Sequence, residues 1–483
     1  MAFFSAFEQH ARYQPEAPAL FFPDLEERPT SYRELGGELA ALDACLADMG
    51  LGRGDIVGLD VRNQRQHALL LLATARRGIA SMSIAGIKVG QEPDVALKVI
   101  LADGVCEGGR FGGVAVVQAA TLFRERADVS GGVPSRPQQR GDELCRVMLT
   151  SGSTGVPKAV MLTYRMIEER LLSYHFGLGS DLPRCAALMC GMQLSTSLGY
   201  LMLFNVLARG SLFVADSTDY ATLTAALRDH GIGALMTTPY TLAEIVNHID
   251  STRASFPRLG LMLTAGSLAS PELSGRVGEL LAEKLVVFYG STETGVICSQ
   301  WQARGVGNVG APVPGVVVDI IGSDGEVLPQ GEIGQIRVGA SAGVLPFHTQ
   351  SGWRGRAPMQ HHFPGDTGSL NPDGDLVILG RSDYILNVGG TKTTPEILEA
   401  QIAKAPGVHE CGVFSQRDDF GIDRIVAVLV LKPGWDQNVF FNYCQAHILR
   451  DFLPSKFLVE TSIPRAANNK IDRAALKEMG EGG

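Results

Sequence analysis

The sequence predicts an α/β protein. A large N-terminal domain of helix-covered sheets with a small β-rich subdomain spans residues 1–381, and a small α+β domain spans 382–483. Three observations predict this. The 483 residues exceed what one hydrophobic core ordinarily organises. Short apolar runs alternate with helical stretches through most of the first part of the chain, the pattern of sheets covered on both faces. The texture then changes twice, near Val316 and after Arg381.

Taken in order, Ile56 to Val61 reads as a buried strand, and Gln64 to Arg77 as the helix that follows. Arg146 to Leu149 is a strand entering a Gly-rich turn, with a helix from Arg165 to Tyr174 after it. Ala234 to Met236, Leu259 to Leu263 and Leu285 to Tyr289 are strands, separated by helices over Thr241 to Ile249 and Pro271 to Glu283. From Val316 the strands Val316 to Ile321, Gly334 to Val338 and Leu376 to Leu379 are divided by Gly, Asp and Pro turns, without long helices. Past Arg381, helices over Thr394 to Ala403 and Val439 to Phe452 alternate with strands at Cys411 to Phe414 and Ile425 to Leu431.

Composition narrows the function classes. Hydrophobic residues at 45% and charged residues at 19% describe a globular protein with ample core. The net charge of −9 is spread along the chain, against the basic patch that nucleic-acid binding requires. The eight cysteines form no Cys-x-x-Cys pair or zinc pattern, so they read as reduced core thiols of a cytoplasmic protein. The N-terminus lacks the basic and apolar regions of a signal peptide. The apolar run from Ala68 to Ala75, flanked by Arg65, Arg76 and Arg77, is too short to span a membrane.

Four segments carry chemistry. In LTSGSTGVPK, a strand runs through Thr150, Ser151, Gly152, Ser153, Thr154 and Gly155 to Lys158. Glycines expose backbone N–H groups, hydroxyls add donors and the lysine adds charge, a combination suited to a polyphosphate. The competing reading is a solvated Ser/Gly turn. YGSTETG, residues 289–295, also ends an apolar strand. Thr292 can donate to phosphate, and Glu293 can hold a magnesium ion or cap a helix. In GDTGSLNPDGDLVILGRSDYI, Asp366 suits vicinal hydroxyls, whereas Asp373 and Asp375 read as turn residues. Near the C-terminus, PRAANNKIDR presents Lys470, which alone would read as a surface lysine.

In this order and separation, the segments resemble the adenylate-forming superfamily: acyl-CoA synthetases, nonribosomal peptide synthetase adenylation domains and firefly luciferase. The likeness runs from Ser31-Tyr32-Arg33-Glu34-Leu35 to Arg473. It implies that the C-terminal domain is mobile about a hinge near Asp383. It implies that residues 150–158 hold the ATP phosphates, that Thr292 contacts phosphate, and that Glu293 binds Mg2+. Asp366 and Arg381 resemble a ribose-binding pair. Tyr289 and Gly290, with Ala265, Gly266 and Ser267, resemble the walls around adenine and the acyl carboxylate. Lys470 matches the lysine between α-phosphate and attacking carboxylate, and Gly389 and Gly390 match a loop lining the thiol tunnel. Four positions depart from the family pattern: Ala159, Tyr164, Pro364 and Asn469.

By the same likeness the acyl pocket draws on residues 189–203, including Gln193, Leu194, Ser195 and Ser197, on Gly266, and on residues near Thr237 to Pro239. No Asp opens that stretch to pair an α-ammonium, so the expected substrate is an aryl or fatty acid. Arg184 and Arg209 leave a second carboxylate open. The implied activity is ATP-dependent acyl-adenylate formation followed by transfer to a thiol, most simply that of CoA. The alternatives are a stand-alone enzyme that loads a carrier protein's phosphopantetheine arm and a non-catalytic nucleotide-binding protein. A luciferase-like oxygenase is more distant.

Overall fold

The computed structural model describes residues 2–87, 90–105, 110–123, 141–150, 157–177, 186–301, 305, 307–340, 348–349, 361–381, 386–388, 391–417, 423–448, 452–465 and 470–481. Among them, seven strands form one sheet in the order His348–Thr349, Lys158–Thr163, Leu144–Thr150, Ala80–Ser83, Ile56–Asp60, Val99–Ala102, Val116–Gln118. A second sheet of fourteen strands has a largely parallel half: Pro18–Phe21, Leu212–Ala215, Ala187–Cys190, Ala234–Thr237, Leu259–Ala265 and Ala282–Ser291. It continues by antiparallel pairing through Gly295–Trp301, Asn308–Pro312, Leu376–Arg381, Asp366–Leu370, Gly334–Ala340 and Val316–Ile321.

One apolar cluster joins the two sheets. The centre of the Gln64–Arg77 helix is apolar on every side apart from Thr74, as a fully buried stretch must be, and Ala68 to Ala75 are each 0% exposed. It shares that cluster with the Ser197–Ala208 helix and with strand residues from both sheets, such as Leu59, Cys145, Leu188 and Phe213. A second cluster packs the Tyr220–Asp229, Pro239–Thr252 and Pro271–Leu280 helices on the other face of the large sheet. The Ser31 side chain accepts from the Glu34 N–H, and Glu34 accepts from the Ser31 N–H. This capping box starts the Tyr32–Asp48 helix at the point where the family likeness begins.

The C-terminal part has its own core. Strands Val408–Arg417, Asp423–Leu431 and Lys456–Val459 form a three-stranded sheet. The Pro395–Ile402 and Gln437–His447 helices bury Leu398, Ile402, Phe440 and Cys444 against one face. Leu476 of the Arg473–Glu481 helix packs on the other.

Several expectations are revised. The helix expected to reach Glu283 ends at Leu280, because Ala282 already pairs with Leu259 and extends the next strand backwards. The helix expected over Val439 to Phe452 spans Gln437–His447, and Ile448 is extended at φ −112°, ψ 134°. The β-rich subdomain is continuous with the large sheet, since Asn308–Pro312 pairs with Gly295–Trp301 on one side and Leu376–Arg381 on the other. Asp375 is more than a turn residue: it is 8% exposed and accepts from Asn308 Nδ2 at 3.2 Å.

Candidate active site

The strand ends of the large sheet assemble the site. Leu259–Ala265 and Ala282–Ser291 run parallel with Ala265 beside Phe288, so Gly266 leaves its strand next to Tyr289, which still pairs with Cys298 on its other side. Thr237 and Gly191 follow the next strands along the same edge. In a parallel sheet this carboxyl edge is where ligands bind. Gly266 adopts φ +100°, which favours glycine, and both it and Ser267 are exposed at the rim.

Tyr289 donates to Asp366 Oδ2 at 2.6 Å. Asp366 is the direct cross-strand partner of Arg381, whose guanidinium lies 3.7 Å from Asp366 Oδ1 and donates to Pro364 O at 2.7 Å. Burial raises the Asp366 pKa, against the opposing pull of Tyr289, Arg381 and Lys470. Burial together with Asp366 holds the Tyr289 phenol well above its ordinary value.

Lys470 comes to this cluster from the C-terminal part of the chain. It sits in a small loop closed by the Arg465–Ile471 bridge. Arg473 anchors that loop: it donates to Glu396 at 3.1 Å, to Glu399 at 2.9 Å and to Val413 O at 3.0 Å. Lys470 as a residue is exposed, yet crowding around its ammonium lowers its pKa. Asp366 opposes that shift, Arg381 adds to it, and Glu396 opposes it. The loss of water is local to the ammonium, so exposure of the residue and dehydration of its charge coexist.

Two further contacts join the domains. Lys404 pairs with Glu272 at 2.7 Å, and the Arg465 guanidinium lies 3.9 Å from the centre of the Tyr240 ring. At the joint, a Cβ on Gly380 would lie 2.5 Å from Thr394 Cβ, so only glycine admits the Pro395–Ile402 helix so close.

Thr292 and Glu293 occupy the turn between Ala282–Ser291 and Gly295–Trp301, both half-buried. Arg170, 5% exposed on the Tyr164–Gly177 helix, donates to Thr292 O at 2.9 Å and to Glu293 O at 2.6 Å. The Glu293 carboxylate faces elsewhere, with Oε2 4.0 Å from His362 Nε2. Thr150 pairs with Lys158, an exposed lysine heading its strand. Ser151, Gly152, Ser153, Thr154 and Gly155 lie outside the described residues, as do Asp383, Gly389 and Gly390.

In the expected acyl region, Ser197 opens its helix, and Gln193 and Ser195 are exposed. Leu194 is 4% exposed and belongs to the inter-sheet core. Tyr164 is 1% exposed and donates to Ala75 O at 2.6 Å, which makes it a core residue.

The AMP-binding enzyme family matches residues 7–345, more than half of the chain. The chain belongs to that family. That places it in the adenylate-forming superfamily, with relatives among both acyl-CoA ligases and peptide synthetase adenylation domains. Bacitracin synthase 3 of Bacillus licheniformis is 24% identical over 97% of this chain, which spans only 8% of that synthase. A 4-chlorobenzoate–CoA ligase from Arthrobacter sp. is 25% identical over 97% of this chain and 93% of the ligase. The o-succinylbenzoate CoA synthetase of Bacillus subtilis, solved with its acyl-adenylate intermediate, superposes with a TM-score of 0.82 at 21% identity. That superposition covers 98% of this chain and 97% of the synthetase.

A divalent cation fits the Glu293 turn of this AMP-binding enzyme. Among the described residues there is no cluster of three or more His, Cys, Asp or Glu side chains able to cage a metal. One half-buried carboxylate suits Mg2+, which takes one or two protein carboxylates and keeps water and substrate phosphates as its other ligands. Among the described residues, no helix is long and apolar enough to cross a membrane.

Sequence reading missed Arg170, His362 and Arg473. A signal for Arg170 exists: it stands three and four residues after the buried Ile167 and Met166, a lone cation on the apolar stripe of its helix. The two-histidine strand His361–His362 carries no such pattern.

Proposed function

We propose that this protein activates a carboxylic acid as an acyl-adenylate at the expense of ATP and passes the acyl group to a thiol. The observation that carries the proposal is the placing of Lys470, from the C-terminal domain, within electrostatic reach of the Tyr289–Asp366–Arg381 cluster of the N-terminal domain. An interdomain lysine beside a carboxylate and guanidinium that suit a ribose is what carboxylate attack on an α-phosphate needs.

The acid carboxylate oxygen forms a bond to the α-phosphorus, and the bond from that phosphorus to pyrophosphate breaks. Lys470 carries the positive charge that offsets repulsion between carboxylate and phosphate. Asp366 and Arg381 hold the ribose, and Gly266 with Tyr289 flanks the adenine and the reacting carboxylate. Lys158 and the residue 150–155 turn hold the β- and γ-phosphates. Magnesium, when bound at Glu293 and Thr292, supplies neutralisation of the phosphate oxygens. The C-terminal domain, residues 382–483, then rotates near Asp383, withdraws Lys470 and opens the tunnel lined by Gly389 and Gly390.

The acid is aryl or fatty: Gln193, Ser195 and Ser197 are neutral, and none of them could pair an α-ammonium. The acceptor is CoA in the leading reading, supported by a likeness to a free-standing ligase along almost its whole length. A carrier-protein arm is the second reading, favoured by the equally full likeness to one module of a peptide synthetase. The thiols support a reducing, cytoplasmic setting: five of six described cysteines are buried, and burial pushes Cys145 and Cys190 up to about 12.

The test is hydroxylamine trapping across a panel of carboxylic acids with ATP and Mg2+. Acid-dependent hydroxamate and pyrophosphate are expected with at least one aryl or fatty acid. A broad panel with no acid-dependent pyrophosphate release would favour a nucleotide-binding protein without catalysis. Acyl-CoA formation measured against loading of a carrier protein then separates the two acceptors.

A further inference from the structure

The Thr292–Glu293 turn is held by a group outside every motif named above. Arg170 is 5% exposed, and its two terminal nitrogens donate to two consecutive carbonyls, Thr292 O at 2.9 Å and Glu293 O at 2.6 Å. A planar fork that takes two adjacent carbonyls fixes the rotation of the intervening peptide, which a point donor cannot do. The same Nη1 lies 3.5 Å from Ser197 Oγ, at the first turn of the Ser197–Ala208 helix.

The backbone around the fork leaves little slack. Gly295 sits at φ +77°, and a Cβ there would meet Arg170 Cγ at 3.4 Å. The turn is closed from within by Ser291 Oγ, which accepts from the Thr294 N–H at 3.2 Å. With both carbonyls drawn toward Arg170, the Glu293 carboxylate is left toward His362. The Tyr164–Gly177 helix that carries Arg170 follows directly on the Lys158–Thr163 strand. One guanidinium therefore touches the turn of Thr292 and Glu293 and the head of the acyl-side helix, from a helix continuous with the Lys158 strand.

We infer that Arg170 is a positioning residue for nucleotide and metal: by clamping the Thr292 and Glu293 carbonyls it sets the direction of the Glu293 carboxylate relative to Lys158 and Ser197. This rests on the adenylation reading above. The bland alternative is an arginine that merely satisfies two buried carbonyls. It predicts loss of stability without a specific loss of metal affinity.

The experiment measures Mn2+ binding by electron paramagnetic resonance in the presence of ATP and no acid, for the wild type, Arg170→Lys, Arg170→Gln and Arg170→Ala. Lysine keeps the charge and loses the fork. Arg170→Lys is expected to weaken Mn2+ binding about tenfold or more, the usual effect of removing a group that orients a ligand. Soluble guanidinium at low concentration is expected to restore part of the affinity to Arg170→Ala, and ammonium is not. The rate of acyl-adenylate formation should fall in step with affinity, while thioester formation from supplied acyl-adenylate stays within about twofold, as expected for an interaction used in one half-reaction only. Folded Arg170→Lys and Arg170→Gln proteins with wild-type Mn2+ affinity would overturn the inference and leave the adenylation reading standing. A wild-type protein that binds no Mn2+ with ATP would overturn both.

Discussion

At the scale of single residues, the site is a set of charges whose protonation is set by their surroundings. In its proposed role Lys470 would need its proton to assist carboxylate attack, and dehydration lowers its pKa from the usual 10.5. Adenylate formation should therefore fall on the alkaline side below pH 10.5, as Lys470 loses its proton. Asp366 is raised from 3.8, so it ionises only at a higher pH than usual, and the acid limb moves upward with it. Lys470→Ala should cost adenylate formation about a hundredfold or more, the scale of losing one transition-state charge partner. It should spare thioester formation from supplied acyl-adenylate and remove the alkaline limb. Survival of the adenylation half-reaction in that variant would show the assignment to be wrong. That Asp366 and Lys470 fall in one cluster accords with the sequence reading, which singled them out, with Glu293, by residue type and by spacing in a known order. Arg473 and Arg170 were not singled out, because they act through backbone and carboxylate groups far away in sequence, and no local pattern marks such partners.

At the scale of elements, the turn after Tyr289 is set by backbone crowding. A Cβ on Gly290 would lie 2.2 Å from the Gly295 carbonyl oxygen, at a bulge in the pairing of the two strands. Gly290→Ala should destabilise the protein by about 1–3 kcal/mol, as overpacking of a fitted site does. The thermal midpoint measures this, and an unchanged midpoint would mean that the hairpin relaxes freely. The sequence marked this strand and the apolar Gln64–Arg77 helix well, because uniform hydrophobicity and caps are local signals. It misplaced the ends of the helices after Pro271 and Val439, where pairing by a neighbouring strand or an extended Ile448 decides the boundary. The continuity of the β-rich strands with the large sheet was invisible for the same reason: Asn308–Pro312, which pairs on both sides, carries no local signal that marked it as a strand.

At the scale of the whole molecule, two contacts between the C-terminal part and the rest of the described residues are individually weak, which suits the proposed opening of the joint. Lys404–Glu272 is a surface ion pair, worth about 0–1 kcal/mol. Arg465 over Tyr240 adds about 0.5–2 kcal/mol. A protein carrying both Arg465→Ala and Glu272→Ala should make adenylate several-fold more slowly, at roughly the rate loss that about 1 kcal/mol implies. Thioester formation from supplied acyl-adenylate should hold or rise. Single-turnover measurement of each half-reaction checks this, and equal loss in both would argue against these contacts belonging to one state. The proposed nucleotide contacts are also divided between the two sheets. Lys158 belongs to the seven-stranded sheet, whereas Tyr289, Asp366 and Arg381 belong to the fourteen-stranded one. A nucleotide held in the proposed way would be a clasp across the seam. Its release and the slow breathing of either sheet edge would then be one equilibrium, and free ATP would help to set how tightly the protein is shut.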